Sequence, residues 1–467
     1  MYKETHNYKE SKNKGKIMKT KLHIHSDNEH WAGCENMVGI FLQDKRINER
    51  FDVTFSYRYS TEYIREMAQW VNFKKLAHKP ISINSPVSIL YTVRPFFKPI
   101  MALGYFCNCV EVVKMLKLLR MIKPSIIHLN AGGYPGATSC NSAVIAGRLA
   151  GIPKITYMIN STTRDLLYWK PMTKLVKKNV TKFVTASNHL VKNSQFLWDI
   201  KWEDCKMENS ELVGCPSNFT VIPNTILWKD PIPKEEVRSY LGVKPDEVMF
   251  LCCGVLEKRK GFNLAIDAFE DLHCDEYKPR ALVIAGRGSQ EGDLEYKLMR
   301  TNSKIISYQM DFYKMVFGKK IDDYSLINAC DVLVVPSIAD EDFPNVILIA
   351  MMYGKPIIAS RLAGIPEQID SVMGRLMEIG NVKELTNCMN YYLGDGIRGL
   401  AGEYARVKFN TCYSNEVIIQ KWIDLWEGNN ARNFNYNAGL QCPRLNCEGH
   451  RIYTKTDLSR LGIDNCR

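Results

Sequence analysis

The sequence predicts an α/β chain made of two Rossmann-like domains, each built on a parallel sheet. Three observations carry this expectation. Apolar runs of strand length alternate with helix-period segments along most of the 467 residues. Several of these runs are near-continuous Val, Ile and Leu, the pattern of strands covered on both faces. The alternation occurs twice, with a proline-rich break between the two halves.

Residues 1–20 read as a basic tail, because the first 21 residues hold seven lysines against Glu4 and Glu10. The segment lacks the apolar core of a signal peptide. Strands of the first domain are expected at 21–26, 51–56, 125–130, 154–160 and 182–187. The stretch VIPNTILWKDPIPKEE, 221–236, carries three prolines and no helical period. It sets the first domain at 21–228 and the second at 229–413. Second-domain strands are expected at 248–254, 281–286, 331–337 and 355–360. SNEVIIQKWIDLWEG, starting at Ser414, reads as a closing helix, placed at 414–427, and residues 428–467 read as a polar tail. In that tail Cys442, Cys447, His450 and Cys466 are a conceivable zinc set, although the spacing is not that of a common finger. The plainer reading is an appendage with free thiols, and both stay open.

An apolar fraction of 46% allows sizeable cores and excludes a disordered or fibrous chain. The formal charge is +12. Residues 58–123 hold eleven Lys and Arg against Glu62, Glu66 and Glu111. That stretch is either an ordinary cationic face or a surface that rests on an anionic membrane. The most apolar region, 87–110, is interrupted by Arg94, Pro95, Lys98 and Pro99, so no spanning helix is expected. Fifteen cysteines, mostly in apolar contexts, suit reduced thiols in a cytoplasmic protein. No nucleic-acid-binding motif accompanies the positive charge, so nucleic acid is not an expected partner.

Open parallel sheets bind ligands beyond the carboxyl ends of their strands, so residues after each strand carry the chemistry. In GVLEKRKGFNLAIDAF, 254–269, a strand ends at Gly254, and the cations Lys258, Arg259 and Lys260 precede Gly261 and a helix. Cations beside a helix N-terminus make an anion site; alone, such a run is usually a solvated one. In AGRGSQEG, Gly286 and Gly288 permit close backbone approach. Gly33 follows the first strand and opens a helix, but G-x-G-x-x-G is absent, which argues against a nicotinamide or flavin enzyme. After Pro336 and Ser337, the acidic Asp340, Glu341 and Asp342 run into Phe343, Pro344 and Asn345 at a helix start. Carboxylates there suit the helix dipole, and free helix N–H groups would face the same cleft. Glycines 132, 133 and 136 form either a ligand-approach loop or a plain βα turn.

These segments, with FTVIPNTI and the run ACDVLVVPSIADEDFPNVILIAMMYGKPIIASRLAGIPE, resemble glycosyltransferase family 4 over about residues 20–427. The resemblance implies the GT-B fold, in which two Rossmann-like domains face a central cleft. The closing helix would then cross back to the first domain. The implied activity is sugar transfer with retention, from a UDP- or GDP-sugar donor to a glycan or lipid-linked acceptor, with no metal or cofactor. By resemblance, Arg259 and Lys260 would grip the donor diphosphate, with Gly33, Gly254 and Gly286 close to it. Glu341 would contact the transferred sugar. The backbone of Phe343, Pro344, Asn345 and Val346 would bind donor oxygens, while Tyr134, with a ring able to stack on a sugar, and Asn160 would lie on the acceptor side. Two positions depart from the family pattern. Ile349 stands where a second, ribose-holding Glu is usual, and Asn160 where many members carry His. Ile349 raises an alternative, a GT-B binding or scaffold protein without turnover; another nucleotide-sugar enzyme, such as an epimerase, is a further one.

Overall fold

The computed structural model describes residues 19–28, 30–31, 33–83, 98–197, 206–208, 211–213, 218–272, 279–301, 303–309 and 321–429. Nearly all of the basic tail at 1–20 and the Cys/His set at 442–466 lie outside the described residues.

Both domains are parallel sheets flanked by helices. The first contains β1 (Thr20–Asp27), β2 (Phe51–Arg58), β3 (Ile81–Ile83), β4 (Ile126–Ala131), β5 (Lys154–Ile159) and β6 (Lys182–Thr185). A small antiparallel hairpin, β7 (Lys206–Glu208) and β8 (Glu211–Val213), precedes β9 (Phe219–Val221), which joins the first sheet. The second contains β10 (Val248–Cys253), β11 (Arg280–Gly286), β12 (Ile305–Gln309), β13 (Val332–Val335), β14 (Ile357–Ser360) and β15 (Gly374–Met377). The strand orders are β3-β2-β1-β4-β5-β6-β9 and β12-β11-β10-β13-β14-β15. The winding direction therefore reverses between β1 and β4, and again between β10 and β13. Crevices at such reversals are where open α/β sheets take ligands.

The central strands form because their sequences suit burial on both faces. All six residues of β4 (IIHLNA) and of β10 (VMFLCC) are buried. His23, His25 and His128 belong to this interior. Burial pushes each imidazole down to about 3, so they are neutral and bonded to Thr54, Ser56, Ser139 and Thr156. They are structural, not acid–base, groups.

The closing helix, Asn415–Glu427, packs on the first domain. Trp422 and Trp426 lie edge-on to Phe41 at 5.2 and 5.1 Å, and Trp426 also meets Phe51 at 5.8 Å. Lys154 Nζ donates to the Trp426 carbonyl at 2.9 Å. Burying each such aromatic stabilises the strap by roughly 1.5–3 kcal/mol. The chain passes between domains twice. The first crossing is the extended proline-rich stretch around 223–233, and the second follows a π-helical turn, Phe409–Tyr413. Thr225 Oγ1 donates to the Tyr413 carbonyl at 2.6 Å, so the two crossings lie side by side.

Among the described residues no helix is long and apolar enough to cross a membrane. Eight cysteines, Cys34, Cys109, Cys140, Cys252, Cys253, Cys330, Cys388 and Cys412, are free, and five of them, Cys140, Cys252, Cys253, Cys330 and Cys388, are buried.

Candidate active site

The reversal between β10 and β13 gathers the predicted cations and carboxylate. Gly254 and Gly286 end β10 and β11 with φ of +148° and +159°. A Cβ on Gly286 would sit 1.8 Å from the Gly254 carbonyl oxygen, so this crossing excludes any side chain. The chain then makes a 3₁₀ turn, Lys258–Lys260, closed by Gly261 at φ +67°. A Cβ on Gly261 would lie 2.1 Å from the Pro336 carbonyl oxygen. That close passage holds the basic turn against the exit of β13, and Ile338 N donates to the Arg259 carbonyl at 2.7 Å.

The result is a compact charge cluster. Lys260 Nζ forms a close ion pair with Glu341 Oε1. Arg259 Nη1 reaches the same oxygen at 3.4 Å and the Asp340 carbonyl at 3.2 Å, while its Nε bonds Glu257. Ser337 Oγ adds a contact to Glu341 at 3.4 Å. The Glu341 side chain is only 9% exposed, against 17% for Lys260 and 31% for Arg259. Two cations thus share one recessed carboxylate, and an entering dianion would share the cations in turn.

The helix Asn345–Met352 starts beside this cluster, and no side chain caps its first turn. Its leading N–H groups are therefore available to an anion. Phe343 is buried, with its ring 5.7 Å from that of Tyr413. Asn345 Nδ2 donates to the Gly33 carbonyl at 3.0 Å across the domain seam, and Asn224 Nδ2 lies 3.4 Å from Asn345 Oδ1. Gly33 therefore meets the helix start, which lies four residues beyond Glu341, with Val346 one residue further into that turn. Ile349, in contrast, is 2% exposed within the apolar core.

The acceptor-side expectations divide. Asn160 is half-buried at the end of β5, with Nδ2 donating to Asn130 Oδ1 at 2.9 Å and the Ala131 carbonyl at 3.0 Å. The expectation that Tyr134 offers a ring to a sugar is corrected. Tyr134 is 2% exposed, packs against Tyr157 and Phe196, and donates its hydroxyl to Thr173 Oγ1 at 2.9 Å. It is a core residue with no free face. Tyr134→Phe should cost about 1 kcal/mol of stability in denaturant unfolding.

One group was missed by sequence reasoning. Glu35, fully buried in the first turn of the helix Gly33–Gln43, accepts from Ser26 Oγ at 2.9 Å, Asn28 Nδ2 and Asn130 Nδ2 at 3.3 Å. Cys34 Sγ lies 2.8 Å from its second oxygen. This knot ties the ends of β1 and β4 to the Gly33 turn. A lone Glu ahead of an apolar helix was its signal.

The two facing Rossmann-like domains, with an anion cluster at the second reversal point, define a GT-B protein. Residues 247–395, most of the second domain, match the family model "Glycosyl transferases group 1". Across the chain, 197 residues are 26% identical to the lipopolysaccharide 1,2-N-acetylglucosaminetransferase of Salmonella typhimurium, covering 41% of this chain and 51% of that protein. A second match, also 26% identical, is the spore coat protein SA of Bacillus subtilis, over 42% of this chain and 52% of that one. The chain thus spans about half the length of the curated relatives it matches. Among solved structures, Anabaena HepE in complex with UDP superposes with a TM-score of 0.64 at 16% identity, covering 88% of this chain and 100% of that one. A glycosyltransferase from Rickettsia africae superposes with a TM-score of 0.64 at 15% identity, covering 88% and 98%.

Proposed function

We propose that the protein is a retaining glycosyltransferase that moves a sugar from a UDP- or GDP-sugar to a hydroxyl of a glycan or glycolipid, without a metal or cofactor. The pairing of Arg259 and Lys260 on Glu341, four residues ahead of the uncapped Asn345–Met352 helix whose Asn345 meets Gly33, carries this reading. A donor diphosphate at that point would exchange places with Glu341 as the partner of the two cations. Glu341 would then be free to meet the transferred sugar. As the glycosidic bond breaks, negative charge builds on the leaving phosphate, and fixed cations and N–H dipoles stabilise it as it forms. A phosphate oxygen on the same face would take the proton of the incoming hydroxyl. The names of the matched proteins, a lipopolysaccharide sugar transferase and a UDP complex, support a UDP donor and a surface-glycan acceptor. A basic, partly apolar helix, Lys98–Ile122, with Val113 and Met121 exposed beside Lys117, supports work at an anionic membrane surface on the cytoplasmic side.

The test is a panel of UDP-, GDP- and ADP-sugars scored by thermal shift and nucleotide release, with and without EDTA. One UDP- or GDP-sugar should raise Tm and be consumed at an EDTA-independent rate. Failure of every donor both to bind and to turn over would remove the proposal. Ile349 favours a second reading, a GT-B binding protein without turnover; a donor that raises Tm and is never consumed is its signature.

A further inference from the structure

Beside the anion cluster, a second carboxyl takes no part in it. Asp342 follows Glu341 but turns toward the other domain, and it is only 6% exposed. Ser187 Oγ, at the end of β6, donates a short hydrogen bond to Asp342 Oδ1. The other oxygen, Oδ2, is buried with no hydrogen-bond partner. Next to it Glu367 accepts from the backbone N–H of Asn188 at 2.8 Å, its side-chain amide at 3.0 Å, and the N–H of His189 at 2.7 Å. A residue of the second domain thus caps the Asn188–Asn193 helix of the first. Gly364 closes the junction, where a Cβ would lie 2.6 Å from the Asp342 carbonyl and 2.8 Å from Ser187 Cβ.

We propose that Asp342 is a positioning residue that latches the two domains, holding the cleft closed while its carboxyl is protonated and loosening it on ionisation. The surroundings of the carboxyl argue for this. Its neighbours in charge are Glu341 on its own loop and Glu367 on the facing helix, both acidic. The first domain brings the Ser187 hydroxyl, the amides of Asn188 and His189, and an imidazole held down by burial and then by Lys192. Among the described residues no cation forms an ion pair with Asp342, since Lys260 and Arg259 are engaged by Glu341. Burial, then the Glu367 and Glu341 charges, push its carboxyl up to about 7, against the pull of the Ser187 bond. Burial raises Glu367 as well, against the Asn188 and His189 donors. With Ser187 donating to Oδ1, the proton sits on the partnerless Oδ2, which tolerates burial as O–H far better than as an anion.

The sign follows from linkage. Opening hydrates the carboxyl and returns its pKa to the ordinary range near ~4. The closed form then binds the proton more tightly. Closure is at full strength below about pH 4, weakens by up to about tenfold per pH unit up to about pH 7, and is flat above that.

The test is small-angle scattering of the full chain without donor, so its outcome is independent of whether sugar is transferred. The radius of gyration of the parent should grow between pH 5 and 7 and hold constant to pH 8.5. Asp342→Asn, which keeps the shape and cannot ionise, should stay compact throughout. Glu367→Gln should retain the pH response. A parent whose radius is unchanged across the range, or an Asp342→Asn variant that expands along the parental curve, would overturn the latch.

Discussion

Replacing Arg259 and Lys260 together by alanine is expected to lower sugar transfer by about 10²–10³-fold, the size of effect seen when a preorganised donor to a developing anion is removed. Both side chains converge on Glu341 Oε1, and both stand on a turn that Gly261 holds against the exit of β13. The turn that carries them is therefore held by backbone packing rather than by the ion pair, so it would stay in place if the proposed diphosphate displaced Glu341. The loss should fall on kcat as well as on donor KM, because charge on the leaving phosphate grows toward the transition state. Steady-state kinetics with the best donor of the panel checks this. Unchanged kinetics in the double variant would place the diphosphate elsewhere.

Ile349→Glu is expected to destabilise the fold by about 3–5 kcal/mol at neutral pH, the range for an unpaired charge in a packed interior. The family resemblance alone suggests the opposite, a gain in donor affinity from a restored ribose-binding carboxylate. Position 349, however, is 2% exposed and belongs to a cluster with Ile347, Met351 and Leu333. Burial would raise the introduced carboxyl's pKa above its unfolded value of about 4.3. The penalty should then be small at acid pH and grow as pH rises toward the folded-state pKa, a trend that thermal unfolding at pH 4.5 and 7.5 resolves. A variant with the parental Tm and tighter UDP binding would mean that the residue faces the donor after all.

Both sheets were legible in the sequence because their central strands are continuous apolar runs such as those of β10 and β4. The strands that were missed, β3, β7, β8, β9, β12 and β15, are three to five residues long; β3, β9, β12 and β15 are the edge strands of the two parallel sheets, and β7 and β8 form the separate hairpin. In β12 only Tyr308 is fully buried, so no apolar run marks it. The cation–carboxylate cluster was legible because glycine, cation and acid follow strand ends in order. Its pairing was not, since the contact between Lys260 and Glu341 depends on how two loops cross at Gly261 and Pro336. Tyr134 misled for a related reason. A tyrosine in a glycine-rich loop reads as a stacking platform, and only the fold reveals Thr173 and Phe196 around it. Glu35 and Asp342 were illegible as tertiary anchors, because their partners lie on other strands or across the seam.

The side-by-side crossings at Thr225 and Tyr413 limit how the two halves can move. A single tether would allow swivel and slide as well as opening. Two adjacent tethers, tied by a hydrogen bond and clamped by the Trp422 and Trp426 strap, act as the pin of a door. Such a pin favours one rotation over slide or swivel, and Gly33 with Asn345 and Ser187 with Asp342 meet across the seam that this rotation would open. The proposed donor site and the proposed latch would therefore answer to the same angle, so anything that sets that angle would set both.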